Sequence, residues 1–234
     1  MRPHTAVPPG RTAGDRLSGV PLTFDDLLVR ARALAGHGRR ALLGVTGGPG
    51  AGKTTLAEHL VRALNSGGPP WVAHVPMDGF HLADAELDRL GRRDRKGAPD
   101  TFDAAGYAAL LRRLREETGE VVYAPGFERV LEQPLAGSIP VPPTARLVVT
   151  EGNYLLLREG SWGRVRACLD EVWFCEIDEE ERIRRLVDRH VEFGKERAAA
   201  EAWVRGTDQR NADLIATTRD RADLVVPAGA LPTP

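Results

Sequence analysis

Lysine is almost missing from this chain. Of 32 basic residues only Lys53, Lys96 and Lys195 are lysines; the rest are arginine. Lysine is a compact, flexible point charge and arginine a rigid fork, so the two do not substitute freely where a phosphate is gripped. Cysteine is scarce as well. Cys168 and Cys175 are too few for a disulfide framework and read as buried free thiols. No apolar run approaches the roughly 20 residues that span a bilayer, so no membrane partner is expected. Charge of one sign is also lacking: the formal net charge is −1, which excludes a broad nucleic-acid or membrane footprint.

What is present is the composition of a globular domain, 42% hydrophobic and 28% charged. A chain of 234 residues is most simply one domain with a substantial core. Residues 1–20 are rich in Pro, Gly, Arg and Thr and lack the apolar centre of a signal peptide. They are expected to form a disordered leader to a single domain over residues 21–234, in the cytoplasm.

Apolar runs alternate with helical patterns. Thr23 with Asp26 marks a helix start, and Gly36 a stop. Strands are expected at 41–46, 71–76, 146–151, 171–177 and 222–226. Helices are expected at 55–64, 84–90, from 102 onward, at 179–192 and at 198–217. The Pro-rich stretch from Glu120 to Pro143 reads as short strands and loops, a small hairpin flap. Near-continuous apolar strands separated by helices imply a parallel, doubly wound α/β sheet, with sites at the carboxyl ends of its strands.

Between the first strand and its helix stands Gly47-Gly48-Pro49-Gly50-Ala51-Gly52-Lys53-Thr54, a complete G-x-x-x-x-G-K-[ST] loop followed by Thr55. The strand–loop–helix context is what gives such a match its meaning. The glycines let successive N–H groups converge on one phosphate chain, beside the positive end of a helix. Lys53 is placed for the β- and γ-phosphates and the Thr54 hydroxyl for Mg²⁺. The implied ligand is Mg²⁺·ATP, held by residues 48–55.

Three further features carry chemistry. Asp78 follows the second strand, where a carboxylate can take a proton from an attacking hydroxyl; a turn-forming Asp before Gly79 is the plainer alternative. Glu151 closes an apolar strand in the position of a Walker B carboxylate, able to hold Mg²⁺ through water. The charged helix at 179–192 holds Arg182, Arg184, Arg185, Arg189 and His190, with Arg185 and Arg189 on one face. Arginines closing over a triphosphate offset charge in the transition state, though a solvated helix face has the same composition.

Met77-Asp78-Gly79-Phe80-His81, then Arg95-Lys96-Gly97-Ala98-Pro99-Asp100-Thr101-Phe102-Asp103, then Glu151-Gly152-Asn153-Tyr154-Leu155-Leu156 resemble the uridine kinase, phosphoribulokinase and bacterial pantothenate kinase group of P-loop kinases. The similarity runs in order over residues 40–226 and is nearest the nucleoside-kinase-like and fructose-transport-kinase-like members. It implies a five-stranded parallel sheet with an Arg-bearing lid helix, and ATP-dependent phosphorylation of a small-molecule hydroxyl. It further implies that Asp78 is the general base, Glu151 the Walker B carboxylate, and Arg185 and Arg189 the lid arginines.

The Lys96-Gly97-Ala98-Pro99 segment is similar to pantothenate kinases, but Gly126-Phe127-Glu128-Arg129 departs from them. The acceptor therefore stays open among a sugar or polyol, a nucleoside and a pantothenate-like acid. His81, Lys96, Tyr123, Arg129 and Asn153 are the candidates to line its pocket. Asp208 and Asn211 can contact base or acceptor, or cap a helix; Lys195 can serve the lid or merely a helix end. A GTPase switch is disfavoured because no Asn-Lys-x-Asp segment occurs. A nucleotide-binding regulator with a kinase fold and little turnover is the remaining alternative, and whether the chain is a monomer or homodimer stays open.

Overall fold

The computed structural model describes residues 21–36 and 38–230; the expected leader lies outside them. The first helix, α1 (Phe24–Leu34), starts at a reciprocal cap in which the Thr23 side chain accepts from the Asp26 N–H and Asp26 answers the Thr23 N–H. Strand β1 (Ala41–Thr46) is buried at every residue and runs into the Gly-rich loop. Helix α2 (Lys53–Leu64) begins two residues earlier than its apolar pattern suggests, because Gly52 takes a left-handed conformation (φ 84°) and turns the chain directly into it.

Strand β2 (Val72–His74) is shorter than expected. Asn65 accepts from the N–H groups of Trp71 and Val72, so the strand's start is tied to the end of α2. A 3₁₀ turn, Met77–Phe80, follows, then α3 (Asp84–Leu90) and α4 (Ala104–Glu116). The Pro-rich stretch forms an antiparallel hairpin of β3 (Val122–Glu128) and β4 (Gln133–Val141). After β5 (Leu147–Glu151) comes α5 (Trp162–Ala167), one and a half turns too short to show helical periodicity in sequence.

Strand β6 (Glu171–Glu176) leads to α6 (Glu179–Glu192), capped by Asp178. The expected helix at 198–217 is divided. Helix α7 (Arg197–Trp203) passes through a π turn at Val204–Asp208 into α8 (Gln209–Ala216). Strand β7 (Leu224–Pro227) is last.

The main sheet is five-stranded and parallel, in the order β2-β5-β1-β6-β7. Its pleat sends alternate side chains to opposite faces. Leu42, Val148 and Val172 join the α4/α5 side, while Leu43, Val149 and Trp173 join the α1/α2 side. This is the doubly wound α/β architecture expected, and it sets the ends of β1, β2 and β5 along one rim. Each fully buried Leu or Val on these faces stabilises the fold by about 1.5–3 kcal/mol.

The hairpin is held against that rim by a close backbone approach. A Cβ on Gly79 would lie 2.2 Å from the Pro125 carbonyl oxygen. Gly79→Ala is therefore expected to displace the hairpin and cost about 1–3 kcal/mol. For a domain this size that is a fall in Tm of roughly 2–12 °C by calorimetry, and an unchanged Tm would refute the tight contact.

Candidate active site

Three chain segments meet at the rim. The Gly-rich loop leaves β1, Asp78 sits in the turn after β2, and Glu151 ends β5. In the loop, Gly47, Gly50 and Gly52 all have positive φ. A Cβ on Gly50 would lie 2.8 Å from Leu186 of α6, so the lid helix already rests on the loop. Lys53 is only 8% exposed and its Nζ donates to the Gly48 carbonyl at 2.8 Å. Burial lowers its pKa, and the carboxylates of Glu151 and Asp78 partly oppose that shift. A buried ammonium beside a glycine loop is chemically suited to pair with an anion.

Glu151, 5% exposed, accepts from the Thr54 hydroxyl at 3.0 Å. Burial first, and the neighbouring Asp78 carboxylate second, push its pKa up to about 7. Two carboxylates and a hydroxyl beside a phosphate loop form an oxygen-rich donor set suited to Mg²⁺.

These residues open into one cavity of about 500 Å³. Its far wall is aromatic and polar. The His81 ring packs against Phe102 and Phe127, with centroids at 4.0 and 4.9 Å. His81 Nδ1 lies 2.8 Å from the Asp78 carbonyl, and burial lowers the pKa of the imidazole. Lys96 donates to Asp84 at 2.7 Å and stands over the Phe127 ring. Arg129 and Asn153 also line the cavity.

Tyr123 does not. It alternates outward between the buried Val122 and Ala124 and is 59% exposed. A register shift between Ala124 and Gly126 reverses the alternation, so that the half-buried Phe127 lines the cavity, as does the exposed Arg129 just past the strand.

The two lid arginines also separate. Arg189 lines the cavity. Arg185 does not line it, and pairs with Glu181 at 2.7 Å on the exposed side of α6. Residues packed on the loop recur at helical spacing, and Arg182 and Leu186 take that face. Arg182 is 5% exposed and donates to Gln209.

The π turn brings Asp208 to 3.0 Å from His190 Nε2, and Asn211 donates to the Gly97 carbonyl at 3.4 Å. Both line the cavity. Lys195 stands over the Trp203 ring at 4.7 Å, again at the cavity wall.

Asp84, Arg93, Phe127, Glu132 and Trp203 reach the cavity without having been expected there. Of these, only Phe127 carried a usable signal, two residues before Arg129 on one strand face. Cys168 and Cys175 are free thiols, as expected. Among the described residues, no helix is long and apolar enough to cross a membrane.

A parallel sheet in this order, with a glycine loop after β1 and a lid helix after β6, defines a P-loop kinase fold. The chain matches the model of the Phosphoribulokinase / Uridine kinase family over residues 42–232 and belongs to that family. It is 34% identical to a protein of Schizosaccharomyces pombe proposed as a uridine kinase, over 88% of each chain. It is also 34% identical to the uncharacterised protein YggC of Escherichia coli K12, over 80% of this chain and 78% of that one. The crystal structure of a proposed fructose transport system kinase from Silicibacter sp. TM1040 superposes with a TM-score of 0.79 at 36% identity. That match covers 87% of this chain and 98% of the other.

Proposed function

We propose that this protein transfers the γ-phosphoryl group of ATP to a hydroxyl of a small molecule. The observation that carries the reading is the meeting of Asp78, Glu151, Lys53 and Thr54 in one cavity that has a second, separately built wall. The loop and Lys53 would hold the triphosphate, and Thr54 and Glu151 would hold Mg²⁺. Bound there, the metal would offset charge on the phosphate oxygens. Asp78 accepts the hydroxyl proton as the acceptor oxygen bonds to phosphorus and the bond to the ADP oxygen breaks. His81, Lys96, Arg129 and Asn153 face the acceptor. Arg189, on the lid, offsets charge on the migrating group.

The test is ADP release from ATP·Mg²⁺ across sugars, polyols, nucleosides and pantothenate. Release that depends on one acceptor class and is lost in Asp78→Asn establishes the kinase. ATP binding with no acceptor-dependent release, whatever the acceptor, favours the nucleotide-gated regulator instead.

Glu151 supplies a second check through pH. Its carboxyl is raised from an ordinary 4.5 to about 7, so the folded chain holds that proton more tightly than the unfolded chain does. Its contribution to stability is complete below about 4.5 and is lost as pH rises through about 7. Glu151→Gln is thus expected to melt close to wild type at pH 5 and above it at pH 8, by at most about 3 kcal/mol. The same variant is expected to lose roughly 10–100-fold in Mg²⁺-dependent turnover. Equal melting differences at both pH values, in nucleotide-free protein, would contradict the buried-acid reading.

A further inference from the structure

Charge at the acceptor end of the cavity is unevenly committed. Three of the cations that line it, Arg93, Lys96 and Arg129, come from the loop after α3 and from the hairpin rather than from the Gly-rich loop or α6. Lys96 and Arg93 both close on Asp84, at 2.7 and 2.8 Å. Lys96 also donates to the Glu132 carbonyl, so its ammonium is spent clamping the loop to the hairpin. Arg129 makes no hydrogen bond or ion pair among the described residues. It follows directly on β3, past the register shift that turns Phe127 into the cavity. From there it lines the same cavity as the Glu151 carboxylate, which is itself 3.0 Å from the Thr54 hydroxyl.

Building on the kinase reading, we propose that the acceptor is a hydroxylated anion, bearing a carboxylate or phosphate that Arg129 receives. A planar guanidinium with its donors uncommitted matches the two oxygens of such a group. An anionic acceptor must enter beside Asp78 and Glu151, and an uncommitted cation on the facing wall offsets that repulsion. A neutral polyol or nucleoside offers Arg129 only uncharged hydrogen-bond acceptors, which pair with a guanidinium more weakly than a carboxylate or phosphate does.

The experiment compares acceptors that differ only in charge. Glycerol, D-glycerate and glycerol 3-phosphate form one set; glucitol and gluconate a second; pantothenyl alcohol and pantothenate a third. ADP release is measured with wild type, Arg129→Gln and Arg129→Lys. In parallel, the melting temperature of ADP·Mg²⁺-saturated protein is followed as each compound is titrated in.

The expected result is a kcat/KM at least tenfold higher for an acid than for its neutral partner. In Arg129→Gln the KM for that acid should rise by tenfold or more, with a smaller change in kcat and none in the KM for ATP, and Arg129→Lys should recover part of the loss. The glycerol set separates carboxylate from phosphate. Turnover of neutral members as good as that of acids overturns the proposal and leaves the kinase reading standing. Thermal stabilisation by acids, lost in Arg129→Gln and without ADP release, keeps the anion site and overturns the kinase reading. An Arg129→Gln profile equal to wild type, or no stabilisation by any acid, overturns the proposal.

Discussion

Replacing Arg189 with alanine is expected to lower kcat by on the order of 10³-fold, the scale of an arginine that closes over a transferring phosphoryl group. The KM for ATP should rise far less, because the interaction strengthens as charge develops rather than on binding. The ground for the expectation is placement. Arg189 lines the cavity beside Pro49, Gly50 and Lys53 and makes no ion pair among the described residues. Arg185, one turn earlier, is held by Glu181 on the exposed side of α6. Arg185→Ala is therefore expected to change kcat by less than about tenfold. Steady-state kinetics on the two variants decide the matter. Equal losses in both would mean that the lid closes in a rotation that brings Arg185 in as well, and a pure KM effect would make Arg189 a binding residue alone.

That contrast also marks where sequence ran out. Helical spacing placed Arg185 and Arg189 together, yet a 100° step per residue decides which side chain meets a neighbour. The neighbour here is Gly50, whose missing Cβ admits Leu186, and nothing in a single sequence names that contact.

The parallel sheet, its flanking helices and the phosphate loop were legible because they rest on local patterns: buried strand runs, helical periodicity and a glycine spacing with a mechanical purpose. The hairpin was legible as a flap, but its inward face was not. The register shift between Ala124 and Gly126 turns Tyr123 out and Phe127 in, and bulges leave only weak traces in sequence.

The π turn at Val204–Asp208 was invisible for a similar reason. Residues 198–217 read as one helix, and the wider turn that swings Asp208 onto His190 changes hydrogen bonding without changing composition. π turns recur at functional sites, and this one joins α7 to α8, with Asp208 beside His190 of α6 and Asn211 of α8 donating to the Gly97 carbonyl. The loop holding Gly97 and helix α6 are thus both tied to one segment, α7 to α8.

Asp78→Asn is expected to lower kcat by roughly 10²-fold or more, the usual scale for a lost general base. Asn keeps the shape of the side chain and can still accept a hydrogen bond through its carbonyl oxygen, but it cannot take a proton near neutral pH. The change should leave ATP affinity nearly intact, since the loop N–H groups and Lys53 are untouched.

It should also relieve Glu151, because the Asp78 carboxylate is the second cause, after burial, of that residue's raised pKa. The variant therefore predicts a paired outcome: slower turnover, and a Glu151 that ionises at lower pH. Turnover against pH, with nucleotide binding measured on the same protein, tests both together. A variant that keeps near-wild-type kcat removes Asp78 as the base. One that loses turnover and ATP affinity in equal measure would instead make Asp78 part of the nucleotide site, leaving the proton to be taken by another group in the cavity.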